Sequence, residues 1–242
     1  MRFLAERLFQ FLLPPQCHCC EKILEEGQQG ICSKCLSEIH WIESPFCLVC
    51  GTPFVSKEVV SHTCGDCLSK RKYFTMARAL GSYDGSLQEA IHRWKYGGKT
   101  SFNPFFGKWM TEGLTRYWNP DLFDLLIPVP LHPHRLRERG FNQAVLLVRE
   151  LSLRTGIPYR KKILQKRKPT LPQVNLSGAE REKGVRGSFH VVGREGLKGK
   201  SVLLVDDVYT TGATVNECSK VLLAGGAKRV DVLTLAHTLR TS

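Results

Sequence analysis

The sequence predicts an α/β protein in which a parallel sheet flanked by helices follows a small cysteine-rich module. Two short apolar runs, residues 125–129 and 202–205, have the length and the branched side chains of strands that are buried on both faces. Each run leads through a polar loop into a helical pattern, which is the order expected for parallel strands with crossover helices. Nine of the ten cysteines lie within residues 17–67. We therefore expect a cysteine-rich module at residues 1–70 and the α/β domain at 71–242.

The segment 202–214, with the sequence VLLVDDVYTTGAT, predicts a phosphate site at the end of a strand. Asp206 and Asp207 follow the apolar run, and the next helix is expected to begin with Thr214 as its N-cap. Unpaired N–H groups at a helix start attract phosphate, and paired carboxylates can accept hydrogen bonds from sugar hydroxyls and help to hold Mg²⁺. The alternative is a plain strand-to-helix turn. The candidate phosphate ligands are Thr210, Thr211, Gly212, Ala213 and Thr214.

Eight cysteines form four CxxC pairs, a spacing typical of zinc sites. One CxxC turn can present two thiolates to a tetrahedral ion, and two such turns about a dozen residues apart complete a Cys₄ site. Sequential pairing predicts two structural zinc ions, the first on Cys17, Cys20, Cys32 and Cys35 and the second on Cys47, Cys50, Cys64 and Cys67. Disulfides would require an oxidising compartment that nothing in the sequence indicates. Three histidines are alternative ligands: His18, His40 and His62.

The net charge of +13 favours a polyanionic partner, either nucleic acid or a highly phosphorylated small molecule; a solvated basic surface is the alternative. Arg135, Arg137 and Arg139 are closely spaced after the first apolar run. We expect them to bind pyrophosphate, because guanidinium groups bind phosphate oxygens bidentately. The basic segment 160–186 is expected to be a lid over a bound diphosphate or a surface that holds a nucleic-acid backbone.

The amino terminus has apolar side chains at helical spacing and predicts a short amphipathic helix that ends at Pro14. Glu6 and Arg7 interrupt the apolar stretch and no small-residue cleavage site follows, so we expect no signal peptide. No apolar run reaches the roughly 20 residues of a membrane span. We therefore expect a cytoplasmic protein without a transmembrane segment, whose first helix packs on the protein or makes weak contacts with a membrane or partner.

Several motifs together resemble one known family. They are the four CxxC pairs and the segments HRWKYGGK (92–99), PVPL (128–131), RGFNQ (139–143), LPQVNL (171–176) and VDDVYTTGAT (205–214). This set resembles the ComF/ComFC family of competence-related, phosphoribosyltransferase-like proteins over nearly the whole chain. The resemblance implies a type I phosphoribosyltransferase fold behind a double zinc ribbon. It also implies binding of phosphoribosyl pyrophosphate (PRPP) with Mg²⁺.

By this resemblance, Asp206 and Asp207 are the catalytic acids that take the ribose hydroxyls, and the loop 210–214 takes the 5′-phosphate. The resemblance also implies single-stranded DNA, a competence helicase and DNA-processing proteins as partners. Two functions follow from it. The chain is a transferase that acts on an unidentified acceptor, or it is a non-catalytic accessory protein that binds single-stranded DNA and uses PRPP as a regulator.

Overall fold

The central sheet of the protein is parallel, as predicted. The structure, a computed structural model, describes residues 14–25, 27–28, 30–56, 60–97, 100–167 and 184–239. Within these ranges the strands are β1 (Ala77–Ser82), β2 (Leu125–Pro128), β3 (Leu164–Lys166), β4 (Phe189–Val191), β5 (Ser201–Tyr209) and β6 (Arg229–His237). Four of them form one parallel sheet in the order β1-β6-β5-β2, whereas β3 and β4 form a separate antiparallel pair.

Helices cover both faces of this sheet. Two short helices lie in the cysteine-rich module, α1 (Ser33–Ser37) and α2 (Gly65–Ser69). The longer part of the chain contains α3 (Gly85–Tyr96), α4 (Asn103–Tyr117), α5 (Pro133–Arg139), α6 (Gln143–Thr155) and α7 (Ala213–Ala224). Helices α4 and α6 pack against one face, and α7 with the β3-β4 pair packs against the other. This is the α/β layer arrangement that the sequence predicts.

The apolar part of β5 explains why the sheet needs both layers. Leu203 and Val205 contribute to the core on the side of α4 and α6, whereas Val202 and Leu204 contribute to the core on the side of α7. All four side chains are fully buried. Successive side chains of a strand point to opposite faces, so an unbroken apolar run is stable only where both faces are covered.

Two details of segment 202–214 differ from the sequence-based expectation. Strand β5 does not end before the acids but continues to Tyr209, because its pairing with β6 extends to the partner of Tyr209, His237. Helix α7 begins two residues earlier than predicted, with Gly212 rather than Thr214 at the N-cap position. The Thr211 hydroxyl accepts a hydrogen bond from the Ala213 N–H at 3.4 Å, so the hydroxyl that serves the helix start lies before the predicted cap.

Two predicted segments lie wholly or mostly outside the described residues. These are the amphipathic helix expected before Pro14 and residues 168–183 of the basic segment. The antiparallel pair β3-β4 lies on either side of the second segment in the sequence, with Lys166 paired to Phe189. Among the helices that the structure describes, none is long and apolar enough to cross a membrane.

The cysteine-rich module docks on the edge strand β1. Ile42 N–H donates to the carbonyl of Leu80 at 2.8 Å, and Ser82 N–H donates to the carbonyl of His40 at 2.8 Å. These bonds form an antiparallel bridge that pairs the otherwise open edge of the sheet, which a protein must cover or shorten to avoid aggregation. The boundary between residues 70 and 71 stays a prediction.

Arg78 of β1 is the most deeply buried cation of this contact, at 5% exposure. Its guanidinium donates to the carbonyl of Ala77 at 2.7 Å and to that of Leu48 at 3.1 Å. The same group lies 4.6 Å from the centre of the Phe46 ring, within the range of a cation-π contact. Burial lowers the pKa of Arg78, and the surrounding carbonyls and rings take the place of water around its charge.

We expect Arg78→Met to lower the free energy of unfolding by about 1–3 kcal/mol, because it leaves buried carbonyls of the module without a donor. The measurement is urea denaturation of the metal-loaded protein. The matched control is Arg116→Met at an exposed position on α4, which should change stability by less than about 0.5 kcal/mol. Equal stabilities of the two variants would contradict this role of Arg78.

Candidate functional site

Eight cysteines form two compact groups with the predicted pairing. Within each group the four Sγ atoms lie within 4.8 Å of one another. The groups are Cys17, Cys20, Cys32 and Cys35, and Cys47, Cys50, Cys64 and Cys67. Backbone N–H groups support the sulfur atoms, since Cys32 N–H donates to Cys17 Sγ and Cys64 N–H donates to Cys47 Sγ, both at 3.3 Å.

The chemistry of both groups fits a zinc ion. Burial raises the pKa of Cys17 and Cys47, but hydrogen bonds from backbone N–H groups outweigh it and lower each pKa to about 6. One thiolate per group is therefore available near neutral pH, whereas burial raises the pKa of Cys35, Cys50 and Cys67. A bound cation favours loss of the remaining protons, and four thiolates are the ligand set of a structural zinc site. When bound, zinc would tie together two turns of the chain.

The three histidines considered as alternative ligands have other partners. His18 packs on Phe102 with ring centres 4.9 Å apart, and His62 stacks on Phe54 at 4.2 Å. His40 Nδ1 lies 2.9 Å from Asp84. All-cysteine coordination is thus the arrangement that the described contacts favour.

The two acids of segment 202–214 lie side by side near the carboxyl end of β5. Asp206 accepts a hydrogen bond from the Asp207 N–H at 3.0 Å, and the ammonium of Lys95 lies 2.9 Å from Asp207 Oδ2. Burial and the neighbouring Asp207 carboxylate raise the pKa of Asp206 to about 8, although the ammonium groups of Lys95 and Lys166 act in the opposite direction. Asp206 therefore holds a proton near neutral pH, and a further bound cation would favour its ionisation.

A pocket of about 220 Å³ joins these acids to the loop and to helix α5. The polar residues around it are Lys95, Arg135, Arg139, Asn142, Gln143, Lys166, Asp206, Asp207, Thr210, Gly212 and Thr214. We call it the acid pocket. It contains both signs of charge, which suits a ligand with a diphosphate and neighbouring hydroxyl groups.

The three arginines of α5 do not share one environment. Arg135 and Arg139 line the acid pocket, whereas Arg137 is exposed and lies outside its wall. Residues four apart lie on the same face of a helix, and a residue midway between them lies on the opposite face. Arg139 also donates to the hydroxyl of Tyr96 at 2.9 Å. A pyrophosphate role stays a prediction for all three, and the geometry favours two of them.

The loop that ends β5 requires glycine at position 212. Gly212 has φ +74, and a Cβ atom there would lie 2.2 Å from the hydroxyl of Tyr209. The Tyr209 ring is itself stacked on His237 at 4.6 Å. The loop is thus packed onto the ends of β5 and β6. Thr211 and Ala213, two of the candidate phosphate ligands, lie on a neighbouring surface outside the acid pocket.

Two lysines of the acid pocket were not among the candidate site residues, although Lys166 belongs to the basic segment 160–186. Lys95 lies at the end of α3, far from β5 in the sequence, and its side chain is only 13% exposed. Lys166 is on β3, and burial lowers its pKa. The one available signal was the position of Lys95 between Trp94 and Tyr96, within a segment that resembles the family motif.

Two family models agree with this architecture. A family model described as a double zinc ribbon domain matches residues 8–68, and one described as a phosphoribosyl transferase domain matches residues 137–241. A solved structure of glutamine PRPP amidotransferase from B. subtilis is 26% identical with a TM-score of 0.37. That match covers 55% of this chain and only 25% of the amidotransferase chain.

Two relatives match over almost their whole length. Competence protein F of Haemophilus influenzae is 31% identical over 226 residues, which is 92% of this chain and 96% of the relative. The DNA utilization protein YhgH of Shigella flexneri is 30% identical over 230 residues, which is 94% of this chain and 99% of that protein. With a phosphoribosyltransferase-type α/β domain behind two Cys₄ ribbons, the chain belongs to the ComF/ComFC family of competence and DNA utilization proteins.

Proposed function

We propose that this protein binds PRPP together with Mg²⁺ in the acid pocket and transfers the phosphoribosyl group to an acceptor. The observation that carries the proposal is the convergence of Asp206, Asp207, Arg135 and Arg139 on one pocket beside the loop before α7. We further propose that the protein works in the cytoplasm, with DNA-processing proteins such as a competence helicase as partners.

Each group of the pocket has a distinct task in this proposal. The carboxylates of Asp206 and Asp207 accept hydrogen bonds from the ribose hydroxyls. Backbone N–H groups at the start of α7 bind the 5′-phosphate, and Arg135 with Arg139 binds the pyrophosphate that leaves. Mg²⁺, when bound with PRPP, supplies positive charge that offsets the diphosphate. As the bond from the anomeric carbon to pyrophosphate breaks, the guanidinium groups stabilise the charge on the leaving group.

Lys95 has a supporting task. Its ammonium contacts Asp207, so it reduces the repulsion between two carboxylates that are adjacent in the chain. Because both side chains of this ion pair are largely buried, water screens the pair only weakly. Lys95 thereby favours ionisation of the pair without completing it, since the pKa of Asp206 stays at about 8 beside it, and a bound Mg²⁺ would add the positive charge that favours the ionised form of both.

We expect wild-type protein to bind PRPP in the presence of Mg²⁺, and the double variant Asp206→Asn, Asp207→Asn to lose that binding, because amides neither carry the charge nor accept as strongly. The measurement is titration calorimetry, with a parallel assay of pyrophosphate release. Asp121→Asn is the matched control, since this exposed residue precedes β2 at the opposite, amino edge of the sheet. Wild-type protein that does not bind PRPP would refute the proposal.

A second candidate function is binding of single-stranded DNA, with PRPP as a regulator. A groove of about 490 Å³ adjoins the loop, and its polar wall includes five cations, Lys70, Arg71, Lys72, Arg186 and Lys220. We call it the basic groove. The guanidinium of Arg71 lies 4.9 Å from the centre of the Tyr73 ring. Sites for single-stranded DNA typically combine cationic side chains, which contact the DNA backbone, with an aromatic ring on which a base can stack.

Hydrogen bonds connect the basic groove to α7, the helix that follows the loop 210–214. Asn216 of α7 accepts a hydrogen bond from Tyr73 N–H at 2.7 Å and donates to the carbonyl of Arg71 at 3.3 Å. Thr211, Gly212 and Ala213 belong to both the loop and the groove wall. A strand in the groove would therefore contact the same loop as a phosphate in the acid pocket, which gives PRPP a physical route to regulate DNA binding.

We expect the double variant Arg71→Ala, Lys220→Ala to bind a fluorescent 20-nucleotide oligo(dT) about tenfold more weakly, because it removes two phosphate contacts. Anisotropy over a salt titration should also show a shallower dependence on salt, by about 0.7 in the logarithmic slope per lost contact. The control is Lys108→Ala, Arg116→Ala, two exposed cations of α4. Wild-type binding that stays constant with salt would exclude this function.

We propose that both Cys₄ groups are filled by zinc, and expect Cys47→Ser to reduce the zinc content from two ions to one per chain, since it removes a thiolate from the second group alone. Metal analysis of purified protein measures this. Cys19→Ser is the matched control, because Cys19 is buried but belongs to neither group. Two zinc ions in the Cys47→Ser protein would contradict the assignment.

A further inference from the structure

A third cavity lies between the second Cys₄ ribbon and the carboxyl edge of the sheet. It has a volume of about 750 Å³. One wall consists of ribbon residues between positions 41 and 67, and the other consists of the ends of three strands, with Ser82 of β1, Tyr209 of β5 and His237 of β6. We call it the ribbon pocket. It exists because the ribbon is docked on β1 and overhangs the neighbouring strand ends.

The ribbon pocket adjoins the proposed phosphoribosyl site. Tyr209 and Thr210 line both the acid pocket and the ribbon pocket, and Thr211 lines both the ribbon pocket and the basic groove. A sugar phosphate with its 5′-phosphate on the loop and its diphosphate near Arg135 and Arg139 leaves the ribbon pocket as a further open space beside the sugar. An acceptor that attacks the anomeric carbon needs such a space.

The charge of the ribbon pocket differs from that of its two neighbours. Among the described residues of its wall, Lys72 is the one permanent cation, whereas Glu43 and Asp66 are carboxylates. Burial lowers the pKa of His237 to about 4, so this side chain is neutral near neutral pH. A second phosphate group is therefore unfavourable here, and an uncharged or cationic ligand is favoured.

The shape and polarity of the wall suit a flat ring. Trp41 is 38% exposed and is held edge-on against Trp109 with ring centres 5.1 Å apart. Phe54 lies on the same wall, stacked on His62. Hydroxyl groups of Ser82 and Thr210 and the carboxylates provide donors and acceptors around these apolar surfaces. Aromatic faces combined with a few polar groups are what a heteroaromatic ligand requires.

We propose that the ribbon pocket holds the acceptor, a planar nitrogen heterocycle of the nucleobase type, and that the second zinc ribbon forms one wall of the acceptor site. This inference rests on the proposed phosphoribosyl transfer. In the reaction a ring nitrogen forms a bond to the anomeric carbon, the bond from that carbon to a pyrophosphate oxygen breaks, and the proton of the nitrogen passes to water. Pyrophosphate leaves with the electron pair of the broken bond.

The heterocycle has two conceivable sources, a free base or a base of a single strand that keeps a ring N–H, which is guanine at N1 or thymine at N3. Lys72 and Thr211 line both the ribbon pocket and the basic groove, so a strand that lies in the groove can turn one base into the pocket. The cavity is larger than one base, for which a volume on the order of 100–150 Å³ is needed, and thus has room for a base with its sugar. Both sources present the same ring chemistry.

The test compares these sources directly. Adenine, guanine, uracil and thymine, and 12-nucleotide single strands of each DNA base, are titrated into protein saturated with PRPP and Mg²⁺, with tryptophan fluorescence and pyrophosphate release as readouts. We expect at least one probe to bind and to increase pyrophosphate release. A response to strands alone identifies a base within a strand as the acceptor, and a response to free bases identifies the free base.

Variants at Trp41 test whether the active probe binds in the ribbon pocket. Trp41→Ala should weaken binding of the active probe by about tenfold, the lower part of the range for loss of one stacking ring, whereas Trp41→Phe should retain most of the affinity. Probe binding by both variants is measured through pyrophosphate release, because replacing Trp41 removes one of the tryptophans that give the fluorescence signal. PRPP affinity should stay within twofold of wild type in both, which shows that the fold and the acid pocket are intact. Leu153→Ala, an exposed change on α6, is the control.

Two results overturn the inference in distinguishable ways. If PRPP binds with Mg²⁺ but no probe binds, or if Trp41→Ala binds the active probe as tightly as the wild type, the ribbon pocket is not the acceptor site and PRPP binding still stands. If PRPP itself does not bind, the proposed function fails and the acceptor role fails with it.

Discussion

The docking of the second ribbon on strand β1 is the contact on which the rest of the functional edge depends. Arg78 supports this docking, because its buried guanidinium donates to the carbonyls of Cys47 and Leu48 in the ribbon. The Ala77 N–H adds a bond of 2.7 Å to the carbonyl of Val49. A ribbon held along β1 in this way overhangs the ends of β6 and β5. The metal sites thus act beyond their own module, since zinc would fix the shape of a wall that faces the phosphoribosyl site.

Strand β5 combines an apolar first half with a charged second half, and the two halves require different surroundings. Its first half must be apolar, because helices cover both faces, and its second half carries two carboxylates into a partly buried edge. Burial alone would favour protonation of Asp206, as its raised pKa indicates. Lys95 offsets this effect from α3, a helix that follows the edge strand. The acid pair and its cation therefore come from different parts of the chain, and only the folded sheet brings them together.

The sequence predicts what depends on local spacing. The CxxC pairs, the buried run of β5 and the glycine of the loop each follow from residues within a few positions of one another. Three features are not predictable in this way. The orientation of Arg137 depends on where α5 begins, which fixes the face that meets the pocket. The ion pair of Lys95 with Asp207 joins residues over a hundred positions apart. The ribbon pocket exists only because of the docking on β1.

The three cavities that adjoin the loop after β5 differ in charge, and their charges favour different ligands. The acid pocket combines carboxylates with arginines, and the basic groove is mainly cationic, so both suit phosphate groups. The ribbon pocket lies beside them but has more carboxylates than cations in its described wall. Although the net charge of the chain is +13, the described wall of the ribbon pocket has no excess of positive charge. That contrast supports our proposal that phosphates bind on two sides of the loop and that an uncharged ring binds on the third.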